Sequence, residues 1–292
     1  MKKLLARISV LLVITILALP ILSAAQAEET IEHRVYPENS GPAILQNSNY
    51  IAHALGLAST QDKFAEPMNC LEGFQTSYKN GTRVFEADFR FTRDGQVILR
   101  HDWWHDNQDN ISWSVVPDLE TFLNTEYHGG YTPLSFKDLL KLMDEYPDVT
   151  LITDTKFTES DIFFLQFDAM LRDTRELNLE HVWDRIIVQC YNANMHTALS
   201  KTYPEIKHYL YTMYQDGWFD QKESTFEEKC KAWYEKGAIG ITMDATVWHP
   251  EFKAIADKYD LMVFVHTVND ADKAAEFLKQ GIDAIYTDYL HN

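Results

Sequence analysis

The stretch Val84-Phe85-Glu86-Ala87-Asp88-Phe89-Arg90-Phe91-Thr92-Arg93-Asp94-Gly95-Gln96-Val97-Ile98-Leu99-Arg100-His101-Asp102 reads as a strand, a turn and a returning strand. Glu86 and Asp88 stand two apart, so the period of two along a strand points both carboxylates to one face. Asp94-Gly95 is the turn signal that brings the chain back to His101. A carboxylate pair and a histidine therefore converge from one short piece of sequence.

Outward from this hairpin, β-branched or apolar runs recur near residues 50–54, 83–88, 149–155, 185–190, 207–212, 239–243, 261–267 and 283–287. Helix signals fall between them. Ser135 and Asp138 have capping-box spacing, and Thr225 with Glu228 marks a helix start that Gly237 closes. Pro204 follows a helix from about Ala193, and Asn269 opens a segment stopped by Gly281. Eight strand-helix units predict a single α/β domain, a (β/α)8 barrel with the hairpin as an insertion. In that fold the active site lies at the carboxyl ends of the strands, where His53, Glu86, Asp88, Asp154 and His266 all fall. On the third strand, Asp154 and Lys156 share a side with Ile152, a charged pair closing an apolar run. Tyr191 and Trp248 also lie near strand ends, with no role assigned.

The first 27 residues carry Lys2, Lys3 and Arg7, an apolar run from Ile8 to Leu22, and a small-x-small ending at Ala25-Gln26-Ala27. This pattern predicts a cleaved signal peptide, and hence a secreted or extracytoplasmic protein whose domain spans residues 28–292. Without the three basic residues of that segment, 23 basic residues face 44 acidic ones, a net charge of about −21. Such a surface disfavours nucleic-acid backbones as partners, and an anionic substrate needs positive charge supplied locally. Cys70, Cys190 and Cys230 are too few for a disulfide framework and lack zinc spacing.

Ile51-Ala52-His53, Pro67-Met68-Asn69-Cys70-Leu71, Glu86-Ala87-Asp88, Thr92-Arg93-Asp94-Gly95, His101-Asp102, Asp154-Thr155-Lys156 and Gly281-Ile282-Asp283-Ala284-Ile285-Tyr286-Thr287-Asp288 resemble the glycerophosphodiester phosphodiesterase family in order and spacing. The resemblance implies a (β/α)8 barrel in which His53 and His101 are the acid-base pair. It also implies that Glu86, Asp88 and Asp154 hold one divalent cation, magnesium or calcium, with Lys156 near the phosphate. Phosphodiester cleavage asks for this equipment: a nucleophile to deprotonate, an alkoxide to protonate, and charge on the equatorial oxygens to neutralise.

Three positions depart from the family pattern. Ala54 stands where an Arg usually follows the first histidine, Met68 replaces a Glu, and Asp154 is one methylene shorter than the usual Glu. The sphingomyelinase D enzymes, on a similar scaffold, resemble this chain in using Asp-x-Lys and in lacking the Glu at the Met68 position. The expected function is thus a metal-dependent phosphodiesterase acting on glycerophosphodiesters or phospholipid headgroups, a small-molecule or lipid substrate. A lipid substrate would bring transient contact with a membrane surface, and Trp103-Trp104 beside His101 could then face it, although such a pair is more often packing under a loop. A catalytically silent barrel binding a phosphodiester or polyol is the rival reading, motivated by Ala54 and Met68. A glycoside hydrolase would also pair carboxylates in a barrel, but two on one strand stand too close for the usual separation of roughly 5 to 9.5 Å.

Overall fold

In a computed structural model of the chain, residues 33–59, 69–103, 115–127, 130–157, 160–213 and 223–291 are described. The pattern of β-branched runs becomes strands β1 (Tyr50–Ala52), β2 (Val84–Phe91), β3 (Val97–Leu99), β4 (Thr150–Asp154), β5 (Ile186–Cys190), β6 (His208–Thr212), β7 (Gly240–Asp244), β8 (Met262–His266) and β9 (Ala284–Thr287). All but β3 pair parallel in the order β1-β9-β8-β7-β6-β5-β4-β2, and pairing of Ala52 with Phe85 closes the ring. The result is the expected (β/α)8 barrel. β3 runs antiparallel outside the ring, with Phe89 opposite Leu99 and Phe91 opposite Val97. Gly95 takes φ +74° in the turn between them, a value that a residue without Cβ adopts at no steric cost.

Alternation along the strands sorts the apolar residues into two cores. Ile51, Val84, Ile152, Ile187, Leu210, Phe264 and Tyr286 fill the inside of the barrel. Phe85, Ala87, Leu151, Val188, Ile241, Val263 and Ile285 face the surrounding helices. Burying a side chain of this size contributes roughly 1.5–3 kcal/mol. A one-residue slip of any strand would exchange its two rows, so burial on both sides holds the register. At Gly240 a Cβ would lie 2.6 Å from the Met262 carbonyl oxygen and 2.8 Å from the Phe264 ring, so β7 meets β8 only with glycine there.

The helix signals were legible in unequal measure. Ser135 and Asp138 form the reciprocal capping box of helix Phe136–Glu145, with both backbone bonds at 3.2 Å. Helix Ala193–Thr202 ends two residues before Pro204. Two starts differ from expectation. Thr225 lies inside helix Glu223–Glu235 rather than capping it. Helix Ala271–Lys279 is capped by Asp270, whose carboxylate accepts from the Lys273 amide at 2.8 Å, because Asn269 is engaged in the barrel. The three cysteines are buried and free.

Candidate active site

The strand ends bring the acidic residues together. Asp88 on β2 and Asp154 on β4 are in register, and Glu86 lies one pleat below Asp88. Ligand oxygens of Glu86, Asp88 and Asp154 lie within 4.8 Å of one another. Glu86 Oε2 accepts from the Ala54 amide at 2.8 Å, while Glu86 Oε1 is buried with no hydrogen-bond partner among the described residues. Asn69 clasps Asp88 from two sides: its Nδ2 donates to Asp88 Oδ2 at 2.8 Å and its Oδ1 accepts from the Asp88 amide at 3.0 Å.

Burial, and then the charge of Asp88, pushes the Glu86 carboxyl well above its ordinary range. Against burial, which favours the neutral acid, Lys156 and the two histidines hold Asp88 low. Buried, clustered carboxylates with an orphaned oxygen are costly unless a cation joins them. The all-oxygen donor set suits a hard divalent ion such as magnesium or calcium, so the residues present fit a metal.

Lys156 is pinned inside this cluster. Its Nζ lies 2.7 Å from Asp88 Oδ1 and 2.5 Å from Asp154 Oδ2. Asp154 is further held by the Tyr191 hydroxyl, which donates to its Oδ1 from the end of β5. The shorter side chain at this position is thus gripped by a lysine on its own strand and a tyrosine on the next.

His53 sits directly after β1, and its Nδ1 pairs with Asp288 Oδ1 at 2.8 Å from beyond the end of β9. Asn69, Ala54, Leu55 and Lys156, all beside the site, take left-handed φ of 52°, 44°, 65° and 54°. That conformation costs a residue with Cβ roughly 1–2 kcal/mol, and local bonds hold it here, including Asn69 N to Ala54 O at 2.9 Å. Burial disfavours a charged His53 ring, but the Asp288 hydrogen bond and the charges of Glu86 and Asp88 outweigh it and raise its pKa to about 9. Asp288 in turn accepts from Asn269 Nδ2 and donates its amide to Asn269 Oδ1 at 2.8 Å. Sequence reading took Asn269 for a helix start and gave neither residue a role in the site. The available signal was position: Tyr286 points into the barrel, so Asp288 does too, one pleat higher at a strand end.

The β2–β3 hairpin delivers His101 as expected. Arg100 N bonds to Asp88 O at 3.0 Å and Arg90 Nε to His101 O at 2.8 Å, tying the residues that follow β3 to the strand that carries the carboxylates. His101 Nδ1 lies 3.2 Å from Asp102 Oδ2, and about half of its side chain (55%) is exposed. Trp103 is packing rather than platform: it is buried edge-on against Phe122. Trp104 and Met68 lie outside the described residues. Trp248 is also structural, buried against Phe252 with its Nε1 donating to Gln280 at 2.9 Å.

Comparison with known proteins gives this geometry its family. Solved structures share the fold at low identity. A Silicibacter pomeroyi chain provisionally named glycerophosphoryl diester phosphodiesterase aligns at TM-score 0.65 and 18% identity, over 83% of this chain and 90% of that one. An Oleispira antarctica phosphodiesterase, solved in complex with the product sn-glycerol-3-phosphate, aligns at TM-score 0.64 and 15% identity, over 82% and 93%. A Parabacteroides distasonis glycerophosphodiester phosphodiesterase aligns at TM-score 0.60 and 18% identity, over 83% and 93%. The sequence model of the glycerophosphoryl diester phosphodiesterase family matches residues 59–292. The chain therefore belongs to the glycerophosphoryl diester phosphodiesterase family and is a phosphoric diester hydrolase.

Proposed function

We propose that this protein is an exported, metal-dependent phosphodiesterase that cleaves glycerophosphodiesters by proton transfer between His53, His101 and the reacting oxygens. The observation that carries this reading is the convergence of Glu86, Asp88 and Asp154 within 4.8 Å, with a buried orphan oxygen on Glu86 and with His53 and His101 both near enough to act on Asp88. The family match and the product named in the Oleispira antarctica complex support a glycerol-bearing substrate. The N-terminal charge and apolar pattern supports export.

Glu86, Asp88 and Asp154 are the residues that would hold one magnesium or calcium ion. When bound, the ion supplies Lewis-acid polarisation of the phosphoryl oxygens and charge neutralisation. Lys156 adds a positive charge beside it, so that a phosphate can approach a protein that is acidic overall. His53 is suited to give a proton. Its Nδ1 is taken by Asp288, which leaves Nε2 as the working atom, and the surrounding carboxylates favour the imidazolium. It would protonate the leaving alkoxide while the more open His101 accepts the proton of the attacking water or hydroxyl.

Hydrolysis of glycerophosphocholine, lysophosphatidylcholine and sphingomyelin, each with magnesium, calcium or excess chelator, tests this reading. Metal-dependent release of choline from the first substrate is the expected result. Turnover that survives chelation would overturn the metal centre. Preference for the lipids would move the substrate to phospholipid headgroups, in keeping with the Asp154-x-Lys156 pattern.

A further inference from the structure

The rim of the barrel carries two polar residues that the reaction above does not use. Ile241 and Met243 on β7, and Val263 and Val265 on β8, face the helices. Alternation therefore points Asp244 and His266 inward, above Phe264 of the inner core. The two are in register, and the Ala245 amide donates to the His266 carbonyl at 2.9 Å. Adjacent strands lie only about 4.8 Å apart, so these side chains emerge side by side. Both are partly exposed.

Their chemistry suits hydroxyl groups. Asp244 Oδ1 accepts from the Thr246 amide at 2.7 Å and its hydroxyl at 2.6 Å, which orients the carboxylate and leaves Oδ2 without a hydrogen bond among the described residues. The His266 ring rests edge-on against Tyr286, with centroids 5.9 Å apart. Burial lowers its pKa, so at neutral pH the ring has one donor and one acceptor nitrogen. In the closed ring β8 stands two strands from β1 and four from β4, so His266 shares one opening with His53, Asp154 and Lys156. A trimethylammonium group would want an open aromatic face, and Tyr286 is buried.

We propose that Asp244 and His266 form the subsite for the hydroxyl-bearing alcohol of the substrate, the carboxylate and the imidazole taking the hydroxyls of a glycerol moiety while the phosphate lies over Glu86, Asp88 and Asp154. This assignment rests on the phosphodiesterase reading and makes the pair a determinant of specificity.

The test compares wild type with Asp244→Asn and His266→Gln on three diesters: glycerophosphocholine, methyl phosphocholine and bis(4-nitrophenyl) phosphate. The expected result is a fall in kcat/KM of roughly tenfold to hundredfold on glycerophosphocholine, the worth of one or two hydrogen bonds to charged or polar partners, with little change on the other two. An equal fall on both choline diesters would mean that the pair binds the cation, and an equal fall on all three would mean a general role. Either overturns the subsite. Calorimetric binding of sn-glycerol 3-phosphate against methyl phosphate reads the same preference without turnover. A wild type that shows that preference but hydrolyses nothing would sink the phosphodiesterase reading and keep the subsite. Equal binding of the two phosphates would overturn the subsite.

Discussion

On one side of the barrel, β1, β2 and β4 lead into His53, Glu86, Asp88, Asp154 and Lys156, with four left-handed residues and a buried unpaired oxygen. On the other side, β6, β7 and β8 end in Thr212, Asp244 and His266, with no left-handed residue among them. One fold thus holds two kinds of wall. The first concentrates charge at a cost in desolvation and backbone strain, which Lys156, Asn69 and local backbone bonds offset in part and a bound cation would offset further. The second sets one carboxylate and one imidazole above the inner apolar core. Clustered buried carboxylates stand in the first wall, while recognition of hydroxyls asks only for oriented polar groups such as those of the second.

The sharpest way to break this comparison is to remove charge from the first wall. Asp88→Asn should abolish magnesium or calcium binding, read by calorimetry, and lower kcat/KM by roughly 10³-fold or more. Retained metal affinity would show that the carboxylate cluster is structural. His101→Ala should cost roughly 10² to 10⁴-fold in turnover while metal affinity is kept, because the role proposed for this side chain is a proton path and not a metal ligand.

Asp288→Asn separates orientation from charge. Turnover should fall on the order of 10²-fold, since the ring loses the partner that fixes its working nitrogen. In chelator-treated protein the His53 ring should titrate near pH 9 by NMR and move down toward its ordinary 6.5 in the variant. A raised histidine pKa stabilises the fold fully below pH 6.5, and the effect is lost as pH rises through 9. An unmoved titration would show that Asp288 does not set the state of His53.

Smaller effects come from the walls' supports. Tyr191→Phe removes the hydroxyl that holds Asp154 and should weaken metal affinity by roughly tenfold to hundredfold. Far from either wall, His196 is buried between Tyr209 and Trp233, and neither ring nitrogen has a well-formed hydrogen bond. Burial lowers its pKa to about 4, so the unfolded chain binds a proton that the folded one refuses. Stability should decline as pH falls from 6.5 to 4, by up to roughly 3 kcal/mol, and His196→Phe should flatten that decline in urea melts.

Much of the fold was legible because the relevant signals are local. Strand limits, the β2–β3 hairpin and the Ser135–Asp138 box depend on residues within a few positions of one another. The carboxylates of Glu86 and Asp88 could be placed for the same reason, from a spacing of two. Asn269 shows where local reading fails. It has the side chain and position of a helix cap, yet the cap is Asp270, because Asn269 finds Asp288 and Thr287 at the end of the neighbouring strand β9.

The sequence by itself determined which residues face the barrel interior and which strand ends carry charge, since alternation and turn chemistry are properties of short segments. Only the tertiary structure decided who meets whom. His53 and Asp288 are 235 positions apart, Tyr191 reaches Asp154 over 37, and Asp244 and His266 become neighbours through the register of β7 on β8. Those meetings depend on ring closure and strand stagger. Both are set by the joint packing of two apolar cores, which no local window of the chain contains.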